Sequence, residues 1–288
     1  LGTLRRLPQP GGAQEIQQFS IQGSGSASTA LMALLEWGYH CRYVGKTSDD
    51  IFGGMIQSQL GFEGFDASGL VVSPGHVSPF SFVALAEAER MDRTVLFTPG
   101  NVPPLTHDEV DLGQLDGCSA LLVDGSEPDA QILLAEAARE RDIPVVFDAS
   151  RPGERDEELI ALSRVLIASE RFVAEVAPRE KQRDSLEALR ERGPDIAIIT
   201  MGIEGAIGLH EQSEVLQPIF SEITPRERGG TGYHFFAGVV HGLLPGWKLD
   251  RMLRFASAAA GLSCREIGSI GGTAALSEVE ETAWPNEG

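Results

Sequence analysis

Glycines stand just ahead of an apolar helical pattern in "RERGGTGYHFFAG" (226–238). Backbone N–H groups of Gly230, Thr231 and Gly232 at a helix start, backed by the helix dipole, would stabilise a phosphoryl group. Tyr233 follows, at the point where a carboxylate could take a proton. A tyrosine of pKa about 10 is no general base near neutral pH unless strongly perturbed, and a positioned base contributes typically ~10²–10⁴-fold. His234 and Glu227 stand nearby as substitutes, each displaced from that point. A histidine beside an anion site is more often a neutral packing residue.

A second glycine turn, "GSGSAS" (23–28), has no Lys-Ser/Thr at the required spacing, which removes the Walker reading. A dinucleotide fingerprint would need a strand directly before it, and "QEIQQFSIQ" is a weak one. The alternative is a turn packing a buried helix. The paired acids Asp49 and Asp50 lie between a strand-like run and a helix in "YVGKTSDDIFGGMIQSQL" (43–60), a place where acids usually cap helices. Cys41, Cys118 and Cys264 are far apart and show neither a disulfide framework nor zinc spacing.

The elements that would position these residues are clearest in the middle. Apolar β-branched runs recur at 120–125, 143–150, 164–169 and 195–202, separated by helical stretches such as 129–142 and 184–193. This alternation predicts an α/β, doubly wound, mostly parallel sheet. Asp124, Asp148, Ser169 and Thr200 fall at strand carboxyl ends, where such sheets bind ligands. In the first hundred residues, 23–38 predicts a buried helix and 81–100 a hairpin around a charged turn. In the last quarter, Leu249, Met252, Leu253, Ala256, Ala259 and Ala260 mark one helix face dominated by small residues.

With 288 residues, 42% of them apolar, the chain can bury a sizeable core. Its net charge of −19 argues against nucleic acid or an anionic membrane surface as partner. No apolar run is long enough to span a bilayer, so a cytoplasmic protein is expected.

The order of seven segments resembles the ribokinase-like carbohydrate kinases (the phosphofructokinase B family). "GSGSASTALMALLEWG" is similar to the family's sugar-side helix, and "VGKTSDDIFGGMIQSQLGFEGFD" (44–66) to its first signature. "FDASRPG" (147–153) resembles a strand ending in Asp followed by Arg. "IASERFVAEV" (167–176) takes the place of the Asn/Ser-Glu segment, and "ITMGIEGAI" (199–207) that of the Thr-x-Gly-x-x-Gly nucleotide turn. "GGTGYHFFAGVVHGLLPGWKL" (229–249) is similar to the second signature, and "FASAAAGLSCREIG" (255–268) to the Ala-rich helix beside the adenine.

The resemblance implies a ribokinase-like fold with a small β lid, and transfer from ATP with Mg²⁺ to a hydroxyl of a sugar, polyol or nucleoside. By position, Gly230, Thr231 and Gly232 would form the anion hole. Thr200, Gly202 and Gly205 would line the phosphate and ribose side, with Ala256 and Ser257 near the adenine. Glu170 would organise Mg²⁺ through water. Gly25, Ser26 and Thr29 would face the sugar, Thr29 standing where Asn is frequent. The expected organisation is a single domain over 1–288, its lid formed by parts of 1–22 and 76–100, with homodimerisation through the lid.

Two departures stand out. The family opens with a strand ending in a sugar-binding Asp, and none precedes "LGTLRRLPQPGG"; either the chain starts after it or the sheet lacks an element. Tyr233 stands in place of the catalytic Asp. The alternative to an active sugar kinase is therefore a catalytically impaired, kinase-like binding or regulatory protein. A nicotinamide-dependent oxidoreductase would need an acid after a fingerprint strand, which is not found.

Overall fold

The computed structural model describes residues 1–86, 92–227, 229–268 and 270–285. The charged turn expected within 81–100 falls on 87–91, and Arg228 falls before the turn at 229–233; both lie outside the described residues.

Three sheets carry the strands. The largest has the order β12 (Ser213–Gln217), β11 (Ala206–His210), β10 (Ile196–Thr200), β9 (Val165–Ser169), β8 (Val145–Ala149), β7 (Leu121–Val123). β7 to β10 are parallel, joined by α3 (Pro128–Glu140), α4 (Asp156–Leu162), α5 (Glu170–Val176) and α6 (Gln182–Arg190). The crossover lengths are those the sequence spacing predicts. The antiparallel β11 and β12 were not anticipated, because "AIGLHEQSEVLQ" mixes apolar and acidic residues without a β-branched run.

Strand residues alternate between two cores, as a sheet covered on both faces requires. Val165 and Ile167 pack with α1 (Ser26–Glu36), α7 (Thr231–Leu243), α8 (Leu249–Ser263) and α9 (Leu276–Ala283). Leu166 and Ala168 pack with the α3–α6 side. On the first face His241, Trp247, Phe255 and Trp284 join Trp37, which ends α1, in one cluster of ring contacts. That cluster fixes α7, and hence the turn that opens it.

β3 (Arg42–Ser48) and β4 (Asp66–Ser73) form a parallel pair around α2 (Ile51–Glu63). β1 (Gly2–Leu4), β2 (Ile16–Phe19), β5 (Phe80–Ala86) and β6 (Asp92–Thr98) form the lid, in the order β2-β1-β5-β6. "QEIQQFSIQ" therefore supplies a lid strand antiparallel to β1, and not the parallel strand that a dinucleotide fingerprint needs. Asp49 and Asp50 do local work. Asp50 Oδ1 caps α2 by accepting from Gly53 N at 2.7 Å, and Asp50 also accepts from Ser78 N and Oγ, both at 2.8 Å. Asp49 Oδ1 accepts from Gly75 N at 2.8 Å. Together they tie the root of the lid to the body.

Candidate active site

Gly230 holds φ +80°, a left-handed conformation that glycine adopts without steric cost, and caps α7. Thr231 and Gly232 begin the helix, and Gly232 is exposed with open space on its Cβ side. The start of a helix is the positive end of its dipole, and here Tyr233 N and His234 N already turn back to Gly230 O, at 3.0 and 3.4 Å. Glu227 is buried, and its carboxylate accepts from Gly229 N at 2.7 Å and Gly268 N at 2.9 Å. It shapes the turn from below.

Tyr233, half-buried on the first turn, is held protonated. Burial raises its pKa above the ordinary 10, the nearby Asp148 carboxylate adds to the rise, and Arg93 and Arg151 pull the other way. His234 is fully enclosed. Its ring nitrogens lie 3.2 Å from Gly230 O and 3.0 Å from Thr273 Oγ1, and burial lowers its pKa, which keeps it neutral. Neither His234 nor Glu227 presents a free group to the turn.

The helix α1 packs against α7. Ser26 Oγ donates to Asp148 Oδ2, and Ala27 N donates to Asp124 Oδ2 at 3.2 Å. The carboxyl ends of β7 and β8 thus hold the helix through acids at its positive end. Burial pushes the Asp148 carboxyl up to about 6, against the hydrogen bonds from Ser26 and Ser150 that favour its ionised form. Gly25 is the residue before this helix. Thr29 is completely buried, and its hydroxyl has no hydrogen-bond partner among the described residues.

The residues matched to the nucleotide side lie elsewhere. Thr200 ends β10, and Gly202–Glu204 form a 3-10 turn closed by Met201 N donating to Gly205 O at 2.8 Å. Gly205 holds φ +96°, and a Cβ there would stand 2.1 Å from Gln217 O, so only glycine fits. Ala256 and Ser257 are buried in α8, and Ala256 packs directly against Gly238 of α7. Glu170 is exposed at the start of α5, beside a cavity of about 280 Å³ lined also by Val173, Pro178, Arg179 and Ile199. That cavity includes none of the residues of the Gly230–Gly232 turn. Among the described residues, no group of three or more His, Cys, Asp or Glu side chains is placed to hold a metal ion. A magnesium ion that keeps its waters and binds chiefly to phosphates needs only one or two carboxylates, and the open carboxylate of Glu170 is compatible with that.

Asp124 and Asp148 were legible only as strand ends, and Arg151 only as the residue after an Asp-ended strand. Arg93 carried no signal at all, since a lone arginine in "MDRTVLF" reads as a solvated strand residue.

The described residues contain no helix long and apolar enough to cross a membrane. The 5-dehydro-2-deoxygluconokinase of Shouchella clausii is 23% identical over 286 residues, spanning 93% of this chain and 88% of that protein. The ATP-dependent ribose-1-phosphate kinase of Halopiger xanaduensis is 25% identical over 272 residues, spanning 93% and 89%. The structure of Arabidopsis thaliana ribokinase complexed with ribose and ATP matches at a TM-score of 0.83 and 18% identity, covering 98% of this chain and 94% of that one, a likeness of fold. The pattern of the pfkB family carbohydrate kinases matches residues 3–275, from the first lid strand to the segment before α9. A match of that extent, on this fold, makes the chain a member of the pfkB family of carbohydrate kinases.

Proposed function

We propose that this protein phosphorylates a hydroxyl of a sugar or a related polyol or nucleoside, with ATP as donor. The observation that carries the reading is the turn at Gly230–Gly232. It opens α7 at a left-handed Gly230 with open space on the Cβ side of Gly232, and α7 packs on α1, whose start is held by Asp124 and Asp148. In this reading the transferred phosphoryl group lies on the N–H groups of Gly230, Thr231 and Gly232, where the α7 dipole offsets its charge. Thr200, Gly202 and Gly205 line the phosphate and ribose of the nucleotide, with Ser257 and the backbone around Ala256 on the adenine side. Mg²⁺, reached by Glu170 through water, would supply charge neutralisation between the phosphates.

The acceptor occupies the space between the turn, Gly25, Ser26 and Thr29, and the lid. Lid closure excludes water and suppresses ATP hydrolysis. Exposed apolar residues on the lid, Phe19, Leu96 and Phe97, support pairing of two chains through it. An ATP-dependent activity of this kind fits a cytoplasmic setting, and the lid and body function as one domain.

A second reading has its own observation. Tyr233 is kept protonated by burial and by Asp148, so it takes no proton from an acceptor. On that ground the chain is a kinase-like binding or regulatory protein with impaired catalysis. The experiment is ADP release from Mg·ATP across hexoses, pentoses, keto-deoxy acids and nucleosides, with the natural chain and Tyr233→Asp side by side. Good turnover by the natural chain supports the kinase and shows that the proton leaves by another route. Turnover gained only in Tyr233→Asp, by ~10²–10⁴-fold, identifies a kinase site without its base. Silence from both sinks the kinase proposal.

A further inference from the structure

The carboxylate of Glu227 joins two segments that lie far apart in the chain. The residue is 4% exposed, and a buried carboxylate needs its oxygens satisfied by donors. Oε1 accepts from Gly229 N at 2.7 Å, just ahead of α7, and Oε2 accepts from Gly268 N at 2.9 Å, in the loop after α8. Gly229 has no room for a side chain, since a Cβ there would stand 2.0 Å from Oε1. The junction is reinforced on both sides. Arg226 N and Glu227 N donate to Cys264 O at 2.7 and 3.1 Å. Gly230 O can only accept, so His234 Nδ1 carries the proton toward it, at 3.2 Å. That leaves His234 Nε2 as the acceptor for Thr273 Oγ1, at 3.0 Å.

The same loop touches the segment that leads from the lid to α1. Gly268 holds φ +95°, and a Cβ there would lie 2.3 Å from Gln22 Nε2. Ile270 N donates to Gln22 Oε1 at 3.4 Å. Gln22 stands between β2, which ends at Phe19, and Gly25 at the head of α1. Its neighbour Gly23 donates through N to Gln59 Oε1 of α2 at 2.7 Å. A continuous chain of contacts therefore runs from the lid strand and α1 through Gln22, Gly268 and Glu227 to Gly229. The two oxygens of one carboxylate keep a fixed separation, so Gly229 N and Gly268 N move together.

We propose that Glu227 is a positioning residue for phosphoryl transfer, which sets the anion turn according to where the lid strand and the α1 start hold Gln22. Its effect on turnover rests on the kinase reading; the coupling itself is measurable without turnover.

The experiment measures hydrogen exchange by mass spectrometry and the affinity for a non-hydrolysable ATP analogue with Mg²⁺ by calorimetry. The chains are the natural one, Gln22→Leu, Glu227→Gln and the double variant, with melting temperatures alongside. Gln22→Leu removes the amide that touches Gly268 and leaves every group of the turn in place. The expected result is faster exchange at 229–234 in Gln22→Leu as well as in Glu227→Gln. Analogue affinity falls by ~3–10-fold in the first and ~10–100-fold in the second, where one buried N–H loses its acceptor. The double variant loses little beyond Glu227→Gln alone, because both residues act through Gly268. For a sugar that the natural chain turns over, kcat falls while the KM of the acceptor changes little. Unchanged exchange at 229–234 and unchanged analogue affinity in Gln22→Leu would overturn the coupling, whether or not any sugar is turned over. Additive losses in the double variant would overturn it too, since the two residues would then act separately. Coupled exchange and binding with no ADP release from any sugar would uphold the link from Gln22 to the turn and remove the kinase reading instead.

Discussion

The turn at 200–205 and the cluster around Asp148 are built in opposite ways. The first is local: six consecutive residues, backbone hydrogen bonds from Met201 N to Gly205 O, Glu204 N to Met201 O and Gly205 N to Gly202 O, and a glycine that no other residue can replace. The second gathers Ser26, Arg93, Asp124, Asp148, Arg151 and Tyr233 from separate elements, with Ser26 and Asp148 lying 122 residues apart in the chain. A local turn depends on backbone conformation and changes chemistry little from one sugar to another. A cluster assembled from many elements can change its charge at any of them, and so suits the choice of substrate.

If that contrast is right, the largest effect comes from Gly205→Ala. Its methyl group would meet Gln217 O at 2.1 Å in a left-handed conformation, which costs about 2–5 kcal/mol in strain and clash. Urea unfolding should show that loss, and calorimetry should show a matching loss of ATP-analogue binding. A variant of undiminished stability would mean that the turn is not built as described.

Asp148→Asn probes the other region through pH. Burial raises the Asp148 pKa from 3.8 to about 6, so the folded state favours the protonated acid. Its contribution is fully present below the unfolded value and is lost as pH rises through about 6. The asparagine variant cannot ionise. Its stability relative to the natural chain should therefore rise by roughly 2–3 kcal/mol between pH 4 and pH 7.5. Parallel denaturation curves at the two pH values would remove this account of the cluster.

Gly232→Ala has the smallest effect on stability and separates folding from binding. A Cβ there meets nothing within 4 Å, and alanine in place of a helical glycine should stabilise by about 0.5–1 kcal/mol. The same methyl group would occupy the open side of the anion turn, so phosphate and ATP-analogue affinity should fall while the melting temperature rises. If both rise together, phosphate does not sit on that turn.

The two regions were also unequally legible. The strands at 120–125, 143–150, 164–169 and 195–202 announced themselves because each is buried on both faces, which selects continuous β-branched runs. The hairpin of β11 and β12 did not, since β12 is half-exposed and polar. The glycines of the two turns were readable because backbone geometry selects residue type directly. Asp148 was readable as a strand end, but its raised pKa follows from the packing above it. Arg93 gave no sign, because its approach to Gly229 depends on where the lid comes to rest.

The sequence by itself determined the alternation of strands and helices, the glycine turns and the family, since each is written in local pattern or in the order of segments. Only the tertiary structure decided that Asp50 both caps a helix and ties down the lid, that His234 is closed off, and that the charges of Asp148, Arg93 and Arg151 act on Tyr233. The physical reason is that charge and burial act through space. A side chain's field and solvation are set by neighbours that the chain brings together from more than a hundred residues away.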